Sequence, residues 1–157
     1  MRSRTPALGP ALALAFTISW GAASATDEPW VAPPEARALH SPYPSSSLSR
    51  ERGAALFAKH CTSCHGAGGR GDGEAAGDLK VRPADLTDPA RIGALSAGEI
   101  FWKIGHGRNP MPPFGRILPD LDLWHLVDHV LALSGRTVDR VERADLGRRQ
   151  IFDLPCP

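Results

Sequence analysis

The sequence has no surplus of either charge. Its 18 lysines and arginines stand against 17 aspartates and glutamates, a net +1 over 157 residues, which excludes the basic face that holds nucleic acid. No segment after the first two dozen residues is apolar enough to cross a membrane, none alternates as a strand does, and no repeat recurs. The aliphatic complement is also small. Long loops with many glycines and prolines cannot pack on so little, so something other than side chains is expected to complete the interior. The length allows one compact domain with a single core.

The N-terminus has to be set aside first. In MRSRTPALGPALALAFTISWGAASA, Arg2 and Arg4 form a positive end, Ala11 to Trp20 an apolar centre, and Ala23-Ser24-Ala25 a small-residue cleavage signal. Residues 1–25 therefore read as a signal peptide, and cleavage leaves 132 residues near a net charge of −1. The alternative is an uncleaved anchor, since no charge lies between Arg4 and Asp27. Pro6, Gly9, Pro10, Ser19, Gly21 and Ser24 dilute that stretch, and its apolar centre is shorter than the roughly 20 residues a span requires. The mature chain is expected to work outside the cytoplasm.

Residues 26–48 are rich in proline and serine, a composition that resists helix and sheet alike, and read as a linker or as a strap laid over the domain. A first helix is expected from Ser49, as its N-cap, to about His60, with Gly53, Leu56, Phe57 and His60 on one face. Residues 66–94 show almost no periodicity. Ser96 to Glu99 matches a capping box and opens a second helix ending near Gly105. A third is expected with Asp120 as cap, a stripe of Leu123, Leu126, Val127, Val130 and Leu131, and Gly135 as its stop. The domain thus covers 49–134, and 135–157 form a mixed-charge tail.

Two of the three cysteines stand in HCTSCHG. Cys61-x-x-Cys64-His65 is the pattern by which haem is attached to a chain: two thiols just past a helix end can each bond one porphyrin vinyl group, and the next residue lies beneath the iron as proximal ligand. Three rival readings fit less well. A redox CxxC follows a strand and precedes a helix, whereas here a helix precedes and glycines follow. A structural zinc site needs a second ligand pair, and a plain disulfide gives His65 no role.

From about Ser49 to Ser134 the chain resembles the class I c-type cytochromes, in particular the bacterial periplasmic and oxidase-associated type. Gly53 and Phe57 stand eight and four residues before Cys61, where that family has a glycine and an aromatic. Trp124 falls at the aromatic of its last helix, so the terminal helices are expected to cross there. Pro83, in KVRPADLTD, resembles the proline whose carbonyl accepts the proximal histidine's Nδ1 proton, a bond that fixes the ring and raises its basicity. The resemblance implies an all-α cytochrome c fold, with three main helices and long loops around one covalently attached haem c.

It also implies a sixth ligand. Met111, the one methionine besides Met1, sits in NPMPPF, which resembles the family's methionine loop; its plainer role is a gap-filling side chain. His106 is the rival ligand. His125 and His129 are four apart but lack the glutamate of H-E-x-x-H and a third ligand, and they depart from the family, which usually has a tyrosine near His129. His60 reads as a helix-end residue, and His40 lies in the strap. With His65 and Met111 both on iron, the implied function is single-electron carriage between a periplasmic dehydrogenase and a terminal oxidase, without enzymatic activity of its own. Two alternatives stand beside it: a haem enzyme or gas sensor in which Met111 dissociates, and a tightly bound subunit of a larger oxidoreductase. GAGGRG, Gly66 to Gly71, matches G-x-G-x-x-G but follows a helix, so no dinucleotide site is expected. Asp72, Glu74 and Asp78 lack calcium-loop spacing. Cys156 is left as a free thiol or an intermolecular disulfide.

Overall fold

In a computed structural model of the chain, the residues described are 29–136. The signal peptide expected over 1–25, and Cys156 with residues 137–157 of the tail, lie outside them. The chain divides into two units, Met1–Trp30 and Val31–Pro157, and the helices described belong to the second. Six α-helices succeed one another: α1 (Pro34–Arg37), α2 (Ser47–His60), α3 (Thr62–His65), α4 (Pro89–Gly93), α5 (Ala97–His106) and α6 (Asp120–Leu133). Single 3-10 turns occupy Ala76–Asp78 and Phe114–Arg116. Among the described residues the only β pairing is an isolated bridge between Arg108 and Met111. The fold is all-α.

The first long helix starts earlier than expected. Ser46, in an extended conformation, is the N-cap of α2, and its hydroxyl accepts from the Ser49 amide at 3.0 Å. Any serine of the run 45–47 could serve there, and the cap falls one turn before the residue first expected. Ser49 is buried instead, and its hydroxyl joins α2 to α6: it donates to Asp128 Oδ2 at 2.5 Å and lies 2.8 Å from His125 Nδ1. A hydroxyl has one proton, so with that proton on Asp128 the His125 Nδ1–H must be the donor of the second bond.

Helices α2 and α6 cross at Gly53. A Cβ there would stand 2.0 Å from the His125 carbonyl oxygen and 2.8 Å from His129 Cβ, so only glycine allows this approach. The crossing falls beside Trp124, as expected, with Gly53 against the His125 backbone. A helix advances 100° per residue, and the indole turns to α5, where it stacks on Phe101 with centroids 4.3 Å apart and planes at 25°. The aromatic at the crossing is Phe57, 5.1 Å from the His129 ring. The core between these helices holds Leu56, Phe57, Phe101, Leu123, Leu126 and Leu131.

The capping box of α5 forms as read: the Ser96 hydroxyl accepts from the Glu99 amide at 3.1 Å, and Glu99 Oε2 accepts from the Ser96 amide at 2.9 Å. The helix runs on to His106, and Gly107, at φ +64°, ends it. Asp120 is not the cap of α6. Pro119 holds that position without a side-chain bond, its carbonyl accepting from the Asp122 and Leu123 amides, while Asp120 and Asp122 place negative charge in the first turn. At the far end the Gly135 amide donates to Ala132 and the Arg136 amide to Leu131, a Schellman closure with Gly135 at φ +77°.

The proline-rich segment contains a helical turn after all. Pro34 sits where its missing N–H costs nothing, and α1 lies on α5. A Cβ on Gly98 would be 2.1 Å from the Ala36 oxygen. Arg37 Nε meets Glu99 Oε1 at 3.3 Å, and the Ser96 hydroxyl donates to the Arg37 carbonyl at 3.0 Å. The segment is therefore a docked strap rather than a free linker.

Candidate haem centre

Helix α2 delivers Cys61 at its C-cap, where the backbone leaves the regular path at φ −120°. It restarts at once as α3, which carries Cys64 and His65 one turn further on; the His65 amide still donates to the Cys61 carbonyl at 2.8 Å. Gly66, at φ +76°, stops the chain from continuing as helix.

The glycine loop then folds back under α3. Amides of Gly71, Gly73 and Ala75 donate to the carbonyls of His65, Cys64 and Ser63 at 2.8, 3.2 and 2.9 Å. A Cβ on Gly73 would stand 2.3 Å from the Ser63 oxygen. The physical task of GAGGRGDG is thus to satisfy the free carbonyl end of the helix that bears the motif.

Cys61 and Cys64 are both free thiols, and both are half-buried. Burial pushes the Cys61 thiol up to about 12, and the neighbouring Cys64 adds to the shift. Burial thus disfavours the thiolate on which a redox CxxC depends. Among the described residues, no three Cys, His, Asp or Glu side chains converge as a zinc site requires.

His65 Nδ1 lies 3.1 Å from a backbone carbonyl. A carbonyl can only accept, so Nδ1 carries the proton and Nε2 presents its lone pair. The acceptor is Ala84, not Pro83 as expected. The Pro83 carbonyl turns instead toward Gly71, where a Cβ would come within 2.4 Å of its oxygen. Burial lowers the His65 pKa, against a smaller opposing effect of the Ala84 bond, so the ring is neutral at pH 7 as a metal ligand must be. Phe57 flanks it, centroid to centroid 6.4 Å.

Met111 comes from the loop after α5. Its amide donates to the Arg108 carbonyl at 2.7 Å, closing a tight turn that includes a cis Asn109–Pro110 bond. Half-buried, it packs on the same apolar cluster as Cys61 and Leu86. The other histidines are engaged elsewhere. His106 Nδ1 donates to the Trp102 carbonyl at 3.0 Å, and its ring stacks on that indole at 4.5 Å. His125 belongs to Ser49, His129 lies against Phe57, and His60 meets the Phe114 edge at 6.0 Å. His40 is exposed.

One residue near the site escaped the sequence reading. Asp85 Oδ1 accepts from both the amide and the hydroxyl of Thr87, at 2.8 and 2.7 Å, directly after the carbonyl that holds His65. The signal for it was present, since Asp-x-Thr in PADLTD is the composition of an Asx turn.

The donor set of two free thiols, a neutral imidazole with Nε2 presented and a half-buried thioether fits a haem. Comparison with known proteins agrees. The family model described as cytochrome c oxidase, cbb3-type, subunit III matches residues 49–130, just over half of the chain. The cbb3-type cytochrome c oxidase subunit FixP of Azorhizobium caulinodans is 32% identical over 119 residues, 70% of this chain and 38% of that one. Cytochrome c6 of Anabaena variabilis is 44% identical over 69 residues, 43% of this chain and 73% of that one. The chain therefore spans well under half the length of FixP. Among solved structures it is similar to a chain of the reducing HAO-like protein complex of Kuenenia stuttgartiensis, with a TM-score of 0.53 and 26% identity over 59% of this chain and 46% of that one. The thiol–thiol–imidazole corner and the helices that frame it are those of a haem-binding class I c-type cytochrome, and the chain belongs to the cbb3-type cytochrome c oxidase subunit III family.

Proposed function

We propose that the chain is a periplasmic carrier of single electrons, with one haem c bound through Cys61 and Cys64 and its iron held between His65 and Met111. The observation that carries this reading is the His65 ring, fixed by a backbone carbonyl at Nδ1 and following directly on two free thiols. Each thiol would add across one vinyl double bond, sulfur to one carbon and hydrogen to the other, forming a thioether with no external oxidant. His65 orients through Ala84, and Met111 reaches over the same apolar cluster that Cys61 touches. Bound there, a haem iron supplies a one-electron couple, whose potential thioether ligation raises.

Were His65 and Met111 both to hold the iron, oxygen and peroxide would find no open position on it, which would separate a carrier from an enzyme or gas sensor. Among the described residues no helix is long and apolar enough to cross a membrane, and the small-residue signal at Ala23 to Ala25 supports export with cleavage after Ala25. The redox partners fall in the classes of dehydrogenase and terminal oxidase, met through brief contacts. A second reading, a cytochrome subunit held within a larger oxidoreductase, is favoured by the names of two similar proteins, an oxidase subunit and a member of an HAO-like complex.

The test is an absorption spectrum of protein exported together with haem-attachment machinery. A c-type reduced spectrum that survives acid–acetone extraction is expected, together with a weak far-red sulfur-to-iron band in the oxidised form. Met111→Ala should abolish the band and admit carbon monoxide to the reduced protein. Persistence of the band in that variant removes Met111 from the site.

A further inference from the structure

We propose that Asp85 is a positioning residue for the proximal histidine: its carboxylate, by closing a turn on Thr87, aims the Ala84 carbonyl at His65 Nδ1. The inference rests on the reading of His65 as an axial ligand.

The direction of a backbone carbonyl is set by the peptide plane it belongs to, and that plane is held from both sides. On the near side Pro83 has a locked φ, and its own carbonyl is seated over Gly71, which no other residue type could replace without overlap. On the far side the plane ends in the Asp85 amide. Residue 84 itself is an alanine, with a freely rotating ψ and a side chain too small to wedge the plane in place. The two residues that come after it remove that freedom. The Leu86 amide donates to the Gly69 carbonyl at 2.7 Å, tying the segment to the glycine loop under α3. Asp85 Oδ1 takes both the amide and the hydroxyl of Thr87, at 2.8 and 2.7 Å, which fixes the backbone through 85 and 86. Neither bond touches His65, and together they hold the two residues that directly follow the Ala84 carbonyl.

A further point separates this role from ordinary loop capping. Asp85 is only half-buried and contributes nothing to the apolar cluster. Releasing it therefore removes orientation without opening a cavity. The expected result is a longer, bent Nδ1–H···O contact, a less basic imidazole, and weaker support for the ferric state.

The experiment uses haem-loaded protein and four variants: Asp85→Ala, Asp85→Asn, Thr87→Val and His65→Ala. The readouts are the midpoint potential and the solvent exchange of the His65 Nδ1 proton in the reduced state. Asp85→Ala should speed that exchange about tenfold and raise the potential by a threefold change in the redox equilibrium, ~28 mV on the one-electron scale of 59 mV per decade. Asp85→Asn keeps an oxygen that can accept both Thr87 bonds and should restore both readouts. Thr87→Val keeps the amide bond and loses the hydroxyl one, and should shift both in the same direction by less. It decides alone where Asp85→Ala does not accumulate as folded protein.

An unchanged potential and exchange rate in Asp85→Ala, or in Thr87→Val when it decides, overturns the inference. A shift in Asp85→Asn as large as in Asp85→Ala does the same, because geometry would then not be the cause. A low-spin spectrum retained in His65→Ala overturns the underlying ligand reading. Loss of that spectrum with a neutral Asp85→Ala overturns the positioning role only.

Discussion

Replacing Gly53 with alanine should force apart the two longest of the described helices. The new Cβ would sit 2.0 Å from the His125 carbonyl oxygen, 2.7 Å from its carbon and 2.8 Å from His129 Cβ, and two of these are backbone atoms that cannot rotate away. Restoring even a short contact moves α2 and α6 apart by about 1 Å, enough to forfeit a quarter to a half of each dispersion contact along the crossing. The same movement stretches the Ser49 to His125 bond, now 2.8 Å, beyond hydrogen-bonding range and strains the one to Asp128. A buried carboxylate left short of a partner costs about 1–3 kcal/mol. Together with overpacking of about 1–3 kcal/mol, the expected loss is about 3 kcal/mol, or a melting temperature lower by more than about 10 °C. Thermal unfolding of the haem-loaded variant, followed by far-ultraviolet circular dichroism, measures it. Gly77→Ala is the control: nothing stands within 4 Å of its Cβ, and it should be neutral or slightly stabilising. A Gly53→Ala protein melting within about 2 °C of wild type would refute the claim that the crossing is backbone on backbone.

Two other perturbations test other parts of the fold. Gly98→Ala would place a Cβ 2.1 Å from the Ala36 oxygen and 2.7 Å from that of Leu39; α1 should lift from α5, and limited trypsinolysis after Arg37 should accelerate at least about tenfold, by local opening. The His129 pKa is lowered by burial from 6.5, so the unfolded chain takes up the proton first as pH falls. Its share of stability is complete above pH 6.5 and is lost as pH drops through the lowered folded value. Denaturant titrations of the haem-loaded protein should show stability declining on the acid side of 6.5, and His129→Gln should flatten that decline.

Side-chain patterns announced the framework of this protein, and backbone details completed it unseen. CTSCH, the glycine and aromatic at 53 and 57, the capping box at 96–99 and the stripe of α6 each leave a mark in residue type and spacing. The capping box and the Gly53 crossing form where those marks stand. The identity of the carbonyl facing His65 leaves no such mark. Every residue has a carbonyl, and a one-residue step from Pro83 to Ala84 reverses which way it points, so only coordinates distinguish the two. The cap of α2 was ambiguous for a related reason, because SSSLS offers several equivalent hydroxyls and the choice depends on where Ser49 is needed by α6. Trp124 shows a third cause: an aromatic in a helix can serve either neighbour, and the stack with Phe101 is a tertiary outcome that heptad-like spacing does not encode. The glycine loop was legible as irregular but not as the cap of α3, since its donors are main-chain amides.

The first two helices find their partners in the carboxyl-terminal half: α1 on α5, α2 on α6. A chain that leaves the ribosome amino end first therefore presents Cys61 and Cys64 before α5 and α6, the helices that complete the core beside them, have been made. On the proposed export route, that order would leave both thiols open to modification until α6 arrives.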